Sequence, residues 1–132
     1  MTMLQIIDGV TRVAGVRAAA ICDYEGIPIE ALSAVGLVNQ EHLCAWAAEM
    51  GRLAARMAEA WQAGEAQVAM FESSMGSLML ADVGRGYLVV LSDPTGSSGM
   101  LRVEVERASE ALRRLLRVRI MPSTLAGGAA TA

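Results

Sequence analysis

The pattern of apolar and polar positions divides the chain into eight segments. Leu4, Ile7, Val10 and Val13 recur at helical spacing and Gly15 ends the run, which predicts a first helix over residues 2–13. Two apolar runs follow, 16–22 and 27–31, joined by Asp23-Tyr24-Glu25-Gly26. A glycine closing a short polar link between two such runs reads as a β-hairpin, with Gly26 taking the positive φ. Pro28 has no N–H to give a central ladder, so the second strand belongs at a sheet edge or starts at that residue.

Residues 39–63 hold no proline and many good helix formers, with Asn39 as N-cap and Gly64 as stop, and predict a long helix. Leu43, Met50 and Met57 form one file at heptad spacing and Ala47, Ala54 and Trp61 another; together they are the stripe expected to be buried. A third file, Trp46, Leu53 and Ala60, lies beside them. At about 100° per residue the combined apolar arc is roughly 160° wide, against ~100° for packing on one sheet. The surplus flank calls for a partner.

Strand-like runs at 66–72, 77–83 and 87–92 are separated by Ser73-Ser74-Met75-Gly76 and Gly84-Arg85-Gly86, links short enough to make the strands antiparallel neighbours. The segments 78–81 and 87–91 are apolar on both alternations, as in strands covered on both faces. After the loop 93–99, residues 100–117 predict a last helix with Leu101, Val105, Ala108, Leu112 and Leu115 inward. Its Glu104, Glu106 and Glu110 precede Arg113, Arg114 and Arg117 in the order that suits the helix dipole. Pro122, Gly127, Gly128 and their small neighbours predict a disordered tail. The fold class is α/β of the α+β kind, in the order α-β-β-α-β-β-β-α. It has a single five-stranded antiparallel sheet between helices, one domain over residues 1–119, and a tail over 120–132.

Composition narrows the function. The 132 residues are 54% hydrophobic and 19% charged, with mean hydropathy +0.40, too apolar for disorder and more apolar than a small monomer needs, so an oligomer contact is expected. All eleven basic residues are arginine, the net charge is -3 and the pI is near 5.1, which argues against nucleic acid as a partner. No run reaches the ~18 apolar residues of a membrane span, and the N-terminus meets Asp8 without a basic region, so neither membrane insertion nor a secretory signal is expected. Cys22 and Cys44 sit among apolar neighbours and read as reduced core thiols, giving a cytoplasmic reading.

Candidate chemistry is sparse. His42 is the one histidine, so a multi-histidine metal site is excluded, and no catalytic residue, metal or cofactor is expected. Asp23 and Glu25 are residues that a hairpin turn selects for local hydrogen bonds. The loop Thr95-Gly96-Ser97-Ser98-Gly99 opens a helix but lacks the lysine and spacing of a P-loop, so it reads as a capped loop. Arg113, Arg114, Arg117 and Arg119 read as a solvated helix end. Arg52 and Arg56 project from the long helix between Glu49 and Glu59, as a salt-laced surface or as contacts to a partner; an arginine supplied in trans is one way to accelerate GTP hydrolysis.

Several features in this order carry a family likeness. They are Val13-Ala14-Gly15-Val16 leading into a strand, the Asp23-Tyr24-Glu25-Gly26-Ile27-Pro28-Ile29 hairpin, the alanine-rich central helix, and Leu88-Val89-Val90-Leu91 followed by Gly99-Met100-Leu101-Arg102. The chain resembles the roadblock/dynein light chain superfamily over residues 4–118, and most of all its compact bacterial members of the MglB type. That resemblance implies a profilin-like sandwich and a homodimer whose sheet continues across Gln67, Val68, Ala69, Met70 and Phe71. It also implies a regulator of a small Ras-like GTPase acting on the GTPase's own switch regions. On this reading Trp46, Glu49, Arg52, Leu53, Arg56 and Ala60 face the GTPase. Activation of GTP hydrolysis and plain scaffolding both remain open within this class. A small-molecule sensor is the alternative class, and it requires a pocket with convergent polar groups.

Overall fold

A computed structural model of the chain describes residues 1–34, 38–94 and 98–131, with side chains followed as far as Arg117. Thr2 opens α1 (Met3–Thr11) with a capping box: the Gln5 N–H donates to Thr2 Oγ1 at 3.1 Å and the Thr2 N–H to Gln5 Oε1 at 2.8 Å. The helix is shorter than expected at its C-terminal end, because the chain turns through Gly15 (φ 91°) into β1 (Val16–Cys22). In the following turn Asp23 Oδ1 accepts from the Glu25 and Ile27 N–H groups, both at 2.9 Å, and Gly26 takes φ 89°. Pro28 is the first residue of β2 (Pro28–Ser33), which is an edge of the sheet, so both positions open to a strand proline are used at once.

Asn39 caps α2 (Gln40–Ala60), its Oδ1 accepting from the His42 N–H at 2.9 Å. Then come β3 (Val68–Ser73), β4 (Gly76–Asp82), β5 (Tyr87–Ser92) and α3 (Ser98–Thr131). The five strands form one antiparallel sheet in the order β2-β1-β5-β4-β3. The element order and the middle-layer sheet are those the sequence predicts.

The pleat sends alternate residues to opposite cores. On one face Ala19, Ile21, Met79, Ala81, Leu88 and Val90 pack under Ile6, Ile7 and Val10 of α1 and Leu101, Val105, Ala108 and Leu112 of α3. On the other face Ala18, Ala20, Cys22, Leu80 and Val89 pack under Leu43, Cys44 and Ala47 of α2.

Two expectations need correction. The inward residues of α2 are Leu43, Cys44, Ala47, Ala48 and Gly51, whereas Met57 and Trp61 of the expected stripe are exposed, Trp61 at 71%. Periodicity identifies a face but not how far along the helix a sheet lies beneath it. Secondly, α3 pairs Arg102 with Glu106 and Arg107 with Glu104, and Arg113 is not a solvated end: its Nε and Nη2 donate to the Asp82 carbonyl at 3.0 and 2.6 Å. The α3 backbone is helical through Thr131. The side chains of the segment read as a tail, and Thr95, Gly96 and Ser97 of the loop read as capped, lie outside the described residues.

Gly51 sets how α2 docks. A Cβ built on it would lie 2.3 Å from the Tyr87 ring, so the tyrosine occupies the space an ordinary helix residue would fill. Gly51→Ala is therefore expected to cost about 1–3 kcal/mol in chemical denaturation, as overpacked sites do. In a Tyr87→Ala background the same substitution should cost less; equal costs in the two backgrounds would mean the ring is not the obstacle.

Candidate partner-binding face

Five strands about 4.8 Å apart make a sheet some 20–25 Å wide, roughly two helix diameters. α1 and α3 share one face, but α2 is alone on the other and lies chiefly over β5 and β1. The α2 side of β3 and of β4 beyond Leu80 is only partly covered. Cross-strand pairing places Ala69 beside Leu80 and Phe71 beside Leu78 on this strip, and Leu78 beside Leu91. Trp46 borders it from the helix, and with Phe71, Met75, Leu78 and Leu91 it lines a groove of about 330 Å³. Phe71 is 63% exposed. Contiguous exposed apolar surface of this kind is characteristic of interaction sites.

The strip ends at β3, which pairs only with β4 and so presents an open row of backbone donors and acceptors. Of the residues implied for a dimer contact, Val68, Ala69, Met70 and Phe71 are in β3. Gln67 precedes the strand and extends its ladder by accepting from the Asp82 N–H at 3.0 Å. Ala69 and Phe71 face the α2 side, Val68 and Met70 the α1/α3 side, as their partners Leu80, Leu78, Ala81 and Met79 do.

The residues implied for a GTPase contact all lie on exposed turns of α2. Trp46, Glu49, Leu53, Arg56 and Ala60 succeed one another at three- and four-residue spacing, so they share one side of the helix, with Arg52 adjacent. Arg52 Nη2 bonds Glu49 Oε1 at 2.9 Å, while Arg56 makes no ion pair among the described residues. Such an exposed pair contributes at most about 1 kcal/mol to stability, so the file is free to be used elsewhere. His42 is exposed in the first turn of α2, its ring 6.1 Å from Trp46. Among the described residues no group of three or more His, Cys, Asp or Glu could hold a metal ion, and no helix is long and apolar enough to cross a membrane.

A Roadblock/LC7 domain family model matches residues 3–92. The chain belongs to the Roadblock/LC7 family. Among solved structures, MglB of Myxococcus xanthus superposes with a TM-score of 0.79 at 22% identity, covering 88% of this chain and 95% of that one. The gliding protein MglB of Thermus thermophilus gives 0.73 at 24%, over 85% and 86%. Profilin II of Acanthamoeba castellanii gives 0.59 at 12%, over 84% and 96%, which places the roadblock sheet and its helices in the profilin-like architecture.

This roadblock domain also carries a polar joint that sequence spacing did not reveal. The Tyr24 hydroxyl donates to Asp82 Oδ1 at 2.9 Å, the same oxygen accepts from the Gly84 N–H at 2.7 Å, and Arg113 holds the Asp82 carbonyl. Tyr24 meets Tyr87 edge to face, with ring centroids 5.1 Å apart. The two tyrosines and Asp82 line one wall of a cleft of about 460 Å³, with Ala54 and Ala55 of α2 and Ala69 and Leu80 of the sheet on the others. The cleft continues the partly covered strip toward the C-terminal end of α2. Tyr24 and Asp82 are 58 residues apart, so local spacing carries no signal of the joint.

Partial burial, and then the Asp82 carboxylate it bonds, push the Tyr24 hydroxyl up to about 12; burial and the same carboxylate raise Tyr87 as well. A folded value above the unfolded one, near 10, means that the stabilisation from protonated Tyr24 is whole below pH ~10 and lost as pH rises through ~12. Tyrosinate absorbance should therefore show a component ionising near 12, absent in Tyr24→Phe. A titration in which both tyrosines ionise near 10 would contradict the joint.

Proposed function

We propose that this roadblock domain is a cytoplasmic homodimeric regulator that binds a small Ras-like GTPase on its α2 face and activates GTP hydrolysis, without an active site of its own. The observation carrying the reading is the partly covered apolar strip between α2 and the open β3 edge. A second copy related by a two-fold axis satisfies both at once. Its β3 pairs antiparallel with β3 at Val68 to Phe71, and its α2 lies over the strip. The joined α2 helices then present the outer file of Glu49, Arg52, Arg56 and Ala60, with Trp46 and Leu53 at its apolar border, to the GTPase. Aromatic anchors with an arginine rim are a composition enriched at protein interfaces. Family membership and the likeness to the two MglB structures support this reading over a sensor. The 460 Å³ cleft opens onto the strip that the second copy covers, so the dimer on this reading closes over it.

Activation on this reading works by positioning the GTPase's own residues. Pull-down with a Ras-like GTPase carrying a non-hydrolysable GTP analogue tests the face: Arg52→Glu with Arg56→Glu is expected to abolish binding and leave the dimer intact. Phe71→Glu is expected to dissociate the dimer while helical circular dichroism is retained. In saturating hydrolysis assays Arg52→Ala should stay near the wild-type rate. A loss of ~10³-fold or more would assign an arginine finger and overturn the positioning mechanism. Unchanged binding in the double reversal would remove the face from the account.

A further inference from the structure

The two edges of the sheet are not alike. β2 begins with Pro28 and meets β1 through a register shift between Ile21 and Cys22, both of them features that blunt an edge against strand addition. β3 holds no proline and pairs with β4 in unbroken register from Val68 opposite Ala81 to Ser73 opposite Gly76. The direction of its backbone groups follows from one hydrogen bond. The Gln67 carbonyl accepts from the Asp82 N–H at 3.0 Å, so Gln67 turns its backbone polar groups toward β4. Direction alternates along a strand, so Ala69, Phe71 and Ser73 also turn theirs toward β4, while Val68, Met70 and Glu72 present N–H and C=O to the open side.

A two-fold axis perpendicular to the sheet keeps each face on its own side. Ala69 and Phe71, on the α2 side, can therefore oppose only residues of that same face in a second copy. With the axis at Met70, Met70 opposes Met70 of the second copy and Val68 opposes its Glu72. Every outward-turned residue of both strands then enters a hydrogen-bonded pair, each exchanging two bonds. An axis at Ala69 would set Glu72 against a residue before the strand, and an axis at Phe71 would set Val68 against one beyond it.

We infer that two copies join with Met70 opposite Met70, and that Phe71 of each seats in the cleft between α2 and β3 of the other. This deepens the dimer reading and rests on it. In that register Phe71 of one copy stands directly opposite Ala69 of the other, in a non-hydrogen-bonded pair, where side chains approach most closely, with Cβ atoms about 5 Å apart. Phe71 is largely exposed in its own chain. The 460 Å³ cleft beside Ala69 is walled by Gly51, Ala54 and Ala55 of α2 and by Leu80 of the sheet. A ring thus meets a wall of small side chains, the large-against-small complement by which packed layers interdigitate. The two-fold repeats the contact, so each copy gives one ring and receives one.

Sedimentation equilibrium of the full chain tests the socket. Phe71→Ala is expected to raise the dimer dissociation constant by ~10²-fold or more, since each dimer loses two seated rings. Ala69→Phe alone should also weaken the dimer, because two rings then compete for one space. The exchange of Ala69→Phe with Phe71→Ala restores one ring and one methyl at each crossing and should recover ~10-fold or more of the lost affinity. Met70→Cys tests the register: mild oxidation is expected to link residue 70 to residue 70 between chains, at a Cα separation of ~5.5 Å that a disulfide spans, whereas Ala69→Cys and Phe71→Cys should link poorly. A wild-type dimer whose strongest link forms at 69 or 71, or whose exchanged form recovers nothing, overturns the register and the socket and leaves the dimer standing. A wild-type chain that stays monomeric overturns the dimer reading, and this inference with it. The cross-linking arm decides even if an exchanged chain fails to fold.

Discussion

A five-stranded sheet needs about two helices to cover each face, and this chain supplies two to one face and one to the other. Most of the surface follows from that imbalance. The α1/α3 side is closed by Ile6, Ile7, Val10, Leu101, Val105, Ala108 and Leu112. On the α2 side the helix lies chiefly over β5 and β1, so on β4 and the edge strand β3 Leu78 and Ala69 are only half-buried and Phe71 is exposed. The unmet apolar surface and the unmet backbone row of β3 lie side by side. On the proposed reading a single two-fold contact would meet both, because antiparallel pairing of two identical edges brings the second α2 onto the same side of the lengthened sheet.

The position of α2 is fixed by close approach more than by bulk. Alanines and Gly51 line its buried side, and the Tyr87 ring fills the space left by the glycine. Tyr87 leads through Tyr24 and Asp82 to Arg113, so one end of the sheet ties α2, the first hairpin and α3 together. Beyond Gly51 the helix overhangs the sheet, which leaves Met57 and Trp61 exposed and forms the cleft between its last turns and β3. Rigidity at one end and overhang at the other suit a helix whose outer file meets a partner.

Much of this was legible in the sequence because the signals are local. The Asp23–Gly26 turn, the placement of Pro28, the Asn39 cap and the doubly apolar β4 and β5 each depend on neighbours within a few residues. The exact inner face of α2 was not legible: Cys44, Ala48 and Gly51 carry too little hydrophobic signal to outweigh Met57 and Trp61. Gly51 was itself a readable hint, since a glycine within a helical pattern often marks a close approach. The Tyr24–Asp82–Arg113 joint joins residues 31 and 58 positions apart and has no periodic signature. The outer file of Trp46, Glu49, Leu53, Arg56 and Ala60 was legible as a face, but its occupant rests on family likeness and on the missing second helix.

The central claim is that a second copy of this chain closes the half-covered face, and the mass of the native particle tests it most directly. Sedimentation equilibrium at micromolar concentration is predicted to give twice the 13.9 kDa chain mass. A single 13.9 kDa species across that range would contradict the account.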